Sequence, residues 1–118
     1  MTLAPDGLDD AFAALANPHR REMVRLLGLH PHSISGLAAQ RGLSLPAINK
    51  HVRLLEEAGI VQRRKHGRTT FLTLDRTTIL TLQAWFSQFH AYWGTDKESL
   101  ENYTPYLASK PASQMETS

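Results

Sequence analysis

One stretch of the sequence carries side chains suited to hydrogen bonds and ion pairs with a polyanion. Asn49, Lys50 and Arg53 supply an amide, an ammonium group and a guanidinium group close together in the chain. An amide can pair with a base edge by two hydrogen bonds, whereas ammonium and guanidinium groups hold phosphates. The pattern therefore predicts that this stretch contacts nucleic acid.

The other reactive side chains do not form a recognisable catalytic or metal-binding pattern. The chain has no cysteine, which excludes disulfides, thiolate ligands and a cysteine nucleophile. It also has no paired-carboxylate motif and no glycine-rich phosphate loop, so we expect no enzyme activity and no cofactor. His30 and His32 flank Pro31 in a predicted connection between helices, with no acidic residue nearby. We therefore expect no tight metal site.

A helix over residues 45–58 is predicted to position the three polar groups. Ile48, Val52 and Leu55 recur at helical spacing and form one apolar stripe. Ser44 can cap the start of this helix, because its hydroxyl can accept a hydrogen bond from an amide of the first turn. The stripe anchors one side of the helix and leaves the polar groups on the others.

The flanking segments complete a larger motif. Residues 33–42 predict a shorter helix, and two helices joined by a glycine-containing turn form a helix-turn-helix. Residues 60–74 are rich in β-branched and apolar residues on both sides of Gly67, which favours a β-hairpin. A hairpin that follows a helix-turn-helix is a wing.

Positive charge is concentrated on this motif. The whole chain has a net charge of +2, but residues 41–68 hold seven basic and two acidic residues, a balance of +5. The rest of the chain has a balance of −3. This distribution predicts a phosphate-binding surface along the second helix and the wing, the alternative being a solvated basic face without a partner.

Three further helices are predicted, over residues 8–16, 17–27 and 76–93. Apolar residues of the last one cover nearly two faces, more than a single small domain needs. The second face predicts a twofold contact with another copy of the chain, supplemented by the first helix. The alternative is that the extra aromatic residues pack beneath the C-terminal segment. The predicted dimer interface comprises Leu8, Phe12, Ile79, Leu82, Trp85, Phe86, Phe89, Tyr92 and Trp93.

Three motifs occur in an informative order. They are Pro18-His19-Arg20, the run LSLPAINKHVRLLEEAGIV over residues 43–61, and the basic run RRKHGR over residues 63–68. Together they resemble the ArsR-type winged-helix repressors of bacteria, over roughly residues 8–104. The resemblance implies a homodimeric transcription factor that binds a palindromic operator and, in many members, releases it when a metal or another effector binds.

Two departures from the family pattern narrow what the resemblance implies about metals. Thiolate-using members carry cysteines in the region of residues 30–32, and this chain has none. Zinc-sensing members carry Asp-x-His early and two histidines late on the last long helix. This chain has Asp75, then Thr77, and only His90 late. The resemblance therefore implies neither of these two metal sites in this chain. His90 is interpreted as a packed or interfacial residue.

A third departure concerns base recognition. The first turns of the second helix commonly read Ser-Gln-x-x-Val-Ser-x-His-Leu in the family, but Leu45 replaces the Gln and Asn49 the second Ser. Asn49 is therefore the best candidate for reading adenine, with Ser44 and His51 as secondary contacts. Leu45 is expected either to pack on a thymine methyl group or to turn inward.

The sequence thus predicts a mostly α-helical winged helix-turn-helix with a small β-hairpin wing, in the order α-α-α-α-β-β-α, and dimeric. The domain is expected over residues 1–104, including a short helix over 97–103, and a flexible tail over 105–118. The predicted partner is double-stranded DNA. The predicted DNA contacts are Ser44, Leu45, Pro46, Asn49, Lys50, His51, Arg53, Arg63, Arg64, Lys65, His66 and Arg68.

Location and regulation complete the expectations. No apolar run has the length of a membrane helix and no signal peptide is recognisable, so a cytoplasmic location is expected. The sequence does not specify a small-molecule effector. The alternatives are a metal-regulated repressor with His, Asp and Glu ligands at the dimer helix, and a winged helix that binds proteins. The absence of cysteine disfavours the first alternative, and the basic wing disfavours the second.

Overall fold

The computed structural model describes residues 5–90 and 95–109. Residues up to Leu82 form one compact unit, and residues from Gln83 onward form another. The elements are α1 (Pro5–Ala14), α2 (Pro18–Leu27), β1 (His32–Ser33), α3 (Ile34–Arg41), α4 (Leu45–Glu57), β2 (Val61–His66), β3 (Thr69–Leu74), α5 (Arg76–Ser87) and α6 (Asp96–Ser109). Among the described residues, no helix is long and apolar enough to cross a membrane.

The core of the first unit is centred on α4. Its predicted stripe of Ile48, Val52 and Leu55 is completely buried. Burying an aliphatic side chain of this size contributes about 1.5–3 kcal/mol. Met23 from α2 and Leu72 from β3 are also completely buried in the same cluster. The hydrophobic packing therefore fixes which side of α4 faces the solvent.

Side-chain caps define where the helices begin. The Asn17 side chain accepts hydrogen bonds from the first amides of α2, with His19 N at 2.9 Å. Ser44 Oγ accepts from Ala47 N at 3.3 Å at the start of α4, as predicted. Gly42 adopts a φ of 65° after α3, in the left-handed region that glycine tolerates. The turn between α3 and α4 follows from these local contacts.

The sheet contains a strand that the sequence interpretation missed. Its order is β1-β3-β2, and β1 pairs antiparallel with β3 through His32–Leu72 and Ser33–Phe71. Residues 30–32 were predicted to be only a connection. A two-residue strand carries no periodicity, so the hydrogen-bonding edge of β3 determines it rather than any local pattern. Ser33 also caps α3 by accepting from Gly36 N at 3.0 Å.

The C-terminal helices differ from the predicted lengths. Helix α5 ends at Ser87, where the Ser87 hydroxyl and the Gln88 amide donate to main-chain carbonyls of Gln83 and Trp85. Helix α6 starts after Thr95, whose hydroxyl accepts from Glu98 N at 3.1 Å. It continues to Ser109, past the boundary predicted at residue 104. The remainder of the predicted tail lies outside the described residues.

Candidate nucleic-acid interface

The solvent side of α4 carries the polar groups that the sequence analysis singled out. Asn49, Lys50 and Arg53 are exposed, and within residues 5–90 and 95–109 their side chains form no hydrogen bond or ion pair. Leu45 is 53% exposed in the first turn, so the expectation that it turns inward is wrong. Ser44 and Pro46 are exposed beside it. This side of α4 is therefore open to a partner and offers hydrogen-bonding, cationic and apolar groups.

His51 does not belong to that open side. It is half-buried, and its Nδ1 lies 3.2 Å from an Arg20 guanidinium nitrogen. Because a guanidinium can only donate, Nδ1 accepts and the imidazole is neutral. Arg20 also donates through Nε to the Ala14 carbonyl at 2.6 Å. These contacts link α4 to α2 and the end of α1 through His51, and the base contact predicted for His51 stays a prediction.

A second arginine–histidine pair lies beside the first. Arg41 of α3 approaches Nδ1 of His19 with a guanidinium nitrogen at 3.0 Å. The His19 and His51 rings lie 5.6 Å apart. We call these four residues the arginine–histidine cluster. It connects the first turn of α2 with both helices of the helix-turn-helix, and it contains no carboxylate.

The pKa of His51 is lowered, first by burial and then by electrostatic interaction with Arg20, His19 and Lys50. Protonation would place another positive charge beside Arg20 and remove the acceptor at Nδ1. A lowered pKa in the folded state means that the unfolded chain binds this proton more readily. The stabilisation from neutral His51 is therefore complete above the ordinary value of 6.5 and is lost as the pH falls through the lowered pKa.

We expect the free energy of unfolding to decrease on acidification because of His51. Urea unfolding measured between about pH 8 and pH 5 should show a decrease that is smaller in the variant His51→Gln. The matched control is His66→Gln, which changes an exposed wing histidine. Equal pH dependence in the wild type and in His51→Gln would contradict the assignment.

The wing starts with an arginine that is bound to α4. Arg63 Nε donates to Glu56 Oε1 at 2.8 Å, although both side chains remain partly exposed. The sequence analysis placed Arg63 among the DNA contacts. Its guanidinium instead connects β2 to the last turn of α4, which sets the direction in which the wing leaves the helix.

A chain of hydrogen bonds connects the wing to the start of α5. Arg64 donates to Gln62 Oε1 at 3.1 Å, and Gln62 donates to Asp75 Oδ2 at 2.6 Å. Asp75 Oδ1 accepts from Thr78 N at 3.0 Å. The Thr78 amide and the Gln62 side chain lower the pKa of Asp75. We call Asp75, Gln62 and Arg64 the wing relay. The sequence analysis did not identify Gln62, and no local pattern marks it.

The tip of the wing is basic and exposed. Register pairs His66 with Thr69, which leaves Gly67 and Arg68 as the two turn residues. Gly67 adopts a φ of 62°, as required at the first central position of this kind of hairpin turn. Lys65, His66 and Arg68 are exposed around the turn. The predicted wing contacts at the tip are therefore accessible to a polyanion.

The predicted dimer residues differ in burial. Leu82 is only 7% exposed and belongs to the core, so the structure corrects its assignment to the interface. Leu8, Phe12 and Ile79 are half-buried against that core. Phe86 and Phe89 are 52% and 41% exposed. Trp85 is half-buried, and its ring lies 4.9 Å from that of Phe89. Tyr92 and Trp93 lie outside the described residues.

The two histidines considered as metal ligands are near each other. The rings of His30 and His32 stack at 4.2 Å. One nitrogen of each ring lies within hydrogen-bond distance of a carbonyl, His30 Nδ1 at Pro31 O and His32 Nε2 at Leu26 O. In the described part of the chain, no group of three or more His, Asp or Glu residues is arranged to hold an ion. The absence of a metal site remains a prediction.

The sequence is similar to those of known proteins. The chain matches the helix-turn-helix domain family over residues 15–64, which run from the end of α1 into β2. It is 32% identical over 81 residues to an HTH-type transcriptional regulator of Mycobacterium tuberculosis, covering 69% of this chain and 76% of the relative.

Solved structures also resemble this chain. An ArsR family transcriptional regulator is 29% identical and superposes with a TM-score of 0.66, covering 80% of this chain and 98% of that one. A homodimeric winged helix-turn-helix DNA-binding domain from Mycobacterium bovis superposes with a TM-score of 0.60. It is 20% identical and covers 72% of this chain and 81% of that one, so this likeness concerns the fold.

Proposed function

Because the chain belongs to the ArsR-type winged helix-turn-helix transcriptional regulators, we propose that it represses transcription as a homodimer bound to a palindromic operator. Members of this family are DNA-binding regulators rather than enzymes. The proposal concerns what this chain's own residues contribute: the bases read, the phosphates held and the surface that joins the two copies.

The division of α4 into two sides carries the proposal. Ile48, Val52 and Leu55 are completely buried, whereas Asn49 and Lys50 between them are exposed and form no side-chain hydrogen bond or ion pair within the described residues. A helix held in this way can enter the major groove without disturbing the core. In a dimer, two such helices lie about 34 Å apart and reach successive major grooves.

We assign base recognition to Asn49 and Leu45. The Asn49 amide can pair with the N6 and N7 atoms of adenine, and no other amide lies on the open side of α4. Leu45, exposed one helical turn earlier, suits a thymine methyl group. Ser44 and Pro46 frame the same turn. His51 is left out of the base contacts because Arg20 holds it on the protein side.

We assign phosphate contacts to the cations that remain accessible. Lys50 and Arg53 lie on α4, and Lys65 and Arg68 lie at the wing tip, with His66 beside them. Arg64 has an orientation set by Gln62, so the wing relay presents it in a defined direction. Arg63 is assigned to positioning the wing through Glu56. Phosphate contacts fix the register of the protein on DNA without reading sequence.

We expect the double variant Arg64→Ala, Lys65→Ala to weaken binding to every DNA sequence. Each lost phosphate contact lowers the slope of log affinity against log salt by about 0.9. Fluorescence anisotropy at several salt concentrations, with operator and with random DNA, measures both effects. Arg25→Ala is the matched control, because Arg25 pairs with Glu22 on α2. A salt slope equal to that of the wild type would remove the wing from the contact surface.

The proposed dimer surface lies at the end of α5 and just beyond it, where Phe86 and Phe89 expose aromatic side chains. Contiguous apolar surface of this kind on a small protein marks an interaction site. The homodimeric Mycobacterium bovis domain has the same fold, which supports a second copy as the partner. A twofold operator then follows from the twofold symmetry of the protein.

We propose repression rather than activation because a bound dimer can cover sequence that the polymerase needs. We place this activity in the cytoplasm, where a bacterial chromosome is accessible. Selection of bound fragments from genomic DNA is the direct test of the function. Enrichment of a palindrome with half-sites one helical turn apart is expected. Recovery of fragments with no common sequence would contradict a specific operator.

A further inference from the structure

A cavity of about 400 Å³ lies at the base of the wing. It is bounded by the end of α2, the segment that follows it, the end of β3 and the start of α5. Its apolar walls come from Leu27, Pro31, Leu74, Ile79 and Leu80. Cavities of roughly 300–1,000 Å³ with mainly apolar walls and a few polar groups are typical of small-molecule sites.

One cation lines this cavity. Arg76, the first residue of α5, is exposed and forms no hydrogen bond or ion pair among the residues that the structure describes. No acidic side chain is among the lining residues. The cavity thus combines an apolar volume with one unneutralised guanidinium, which can hold a carboxylate by two parallel hydrogen bonds.

The backbone at the end of α2 keeps the cavity open. A Cβ at Gly28 would lie 3.3 Å from the Arg25 carbonyl and 3.9 Å from Leu74 Cδ1. The φ of Gly28 is −66°, so the backbone conformation itself does not demand glycine. The absence of a side chain instead leaves space beside the wall formed by Leu74.

We propose that this cavity binds a small organic monocarboxylate with an apolar body, and that binding changes the affinity for the operator. The carboxylate pairs with Arg76, and the apolar body is buried against Leu27, Leu74 and Ile79. The proposed binding of the carboxylate depends only on the cavity and its lining residues. Its effect on the operator rests on the proposed DNA-binding function.

Residues that line the cavity are neighbours of residues in the wing relay. Asp75 stands between the lining residues Leu74 and Arg76, and it is also the end of the wing relay that orients Arg64. Thr73, another lining residue, is the register partner of Gln62 on β2. A carboxylate that draws Arg76 toward the cavity moves the residue next to Asp75. The relay then orients Arg64 less well, so occupancy lowers operator affinity.

Binding is tested without DNA on the full chain by two-dimensional amide NMR. The probes are octanoate, octan-1-ol and octylammonium, which share a length of chain and differ in charge. We expect saturable shifts at Thr73, Leu74, Arg76 and Ile79 with octanoate, and affinities lower by about tenfold or more for the other two probes. Equal affinities for all three probes, or no saturable shift, would overturn the proposal.

Variants of Arg76 distinguish binding that depends on the guanidinium from nonspecific binding to apolar surface. Arg76→Ala should lose about tenfold or more in octanoate affinity, and Arg76→Lys should retain part of it, because a lysine keeps the charge but not the paired geometry. Lys97→Ala, which removes an exposed cation from α6, is the control and should bind octanoate like the wild type. Unchanged octanoate binding by Arg76→Ala would overturn the assignment of Arg76.

Coupling is tested with the relay variant Gln62→Ala. It should bind octanoate like the wild type but lose the change in operator affinity that octanoate causes in the wild type. If octanoate binds and leaves operator affinity of the wild type unchanged, the coupling is wrong while the site stands. If no operator is bound under any condition, the proposed function fails and the NMR result still decides the site.

Discussion

Replacing Phe86 with glutamate is expected to give a folded monomer with most of the operator affinity lost. Phe86 is 52% exposed on α5 and lies outside the buried core, so a carboxylate there should leave the core of the monomer intact. In the proposed dimer the same carboxylate would be desolvated without a partner, which costs several kcal/mol. A monomer binds only one half-site. It therefore loses the affinity that a dimer gains by binding two linked half-sites, about 10²–10⁴-fold.

Three measurements separate the outcomes for Phe86→Glu. Sedimentation gives the oligomeric state, circular dichroism gives the folded fraction, and anisotropy gives the operator affinity. Gln83→Glu, which adds the same charge at an exposed polar position of α5, is the control and should stay dimeric. A Phe86→Glu protein that remains dimeric at micromolar concentration would place the interface elsewhere.

The choice of Phe86 depends on the structure. Helical spacing alone favours a change at Trp85, because this residue lies off the apolar stripe formed by Ile79, Leu82 and Phe86. Trp85 is in fact half-buried, with its ring 5.1 Å from that of Phe86 and 4.9 Å from that of Phe89. A charge at Trp85 would therefore disturb packing within the protomer as well as association.

Replacing Asn49 with alanine is expected to remove specificity while leaving general DNA affinity nearly unchanged. A bidentate amide–adenine pair contributes about 1–3 kcal/mol of discrimination against other bases. The loss should appear on the best operator at one base pair in each half-site. The exposed Asn49 side chain forms no hydrogen bond or ion pair within the described part of the chain, so its removal should not lower stability.

The comparison of operator with random DNA decides the role of Asn49. Lys50→Ala is the control from the neighbouring position, and it should lower affinity for both DNAs because a phosphate contact is not sequence-specific. If Asn49→Ala also lowers both affinities equally, Asn49 contacts only the backbone. Base recognition would then depend on Leu45 and on the shape of the DNA.

Those parts of the fold that follow local rules were predictable from the sequence. Ile48, Val52 and Leu55 define the buried side of α4 by spacing alone, and Ser44 marks its start by its hydroxyl. Gly67 marks the turn of the wing because that position needs a positive φ. Each of these features depends on residues within one element, where the periodicity and propensity of side chains act directly.

The contacts that connect elements were not predictable in this way. Arg20 and His51 are 31 positions apart in sequence, and only the packing of α2 on α4 brings them together. Arg63 and Glu56 are on a strand and a helix, and their ion pair is the reason why we propose a positioning role for Arg63. A basic residue read from a sequence has no orientation, so its role as a DNA contact or as a brace depends on distant neighbours.

The third strand, β1, affects how the wing adapts to DNA of different groove widths. Because β1 pairs with Leu72 and Phe71 only, the sheet is three strands wide at the middle of the hairpin and two strands wide at the tip pairs Lys65–Thr70 and His66–Thr69. Ser33 of β1 also caps α3, so the third strand ties the middle of the hairpin to the helix-turn-helix. We therefore expect the tip pairs to bend more easily than the braced middle. Operators should then differ in groove width where the wing tips lie with little loss of affinity.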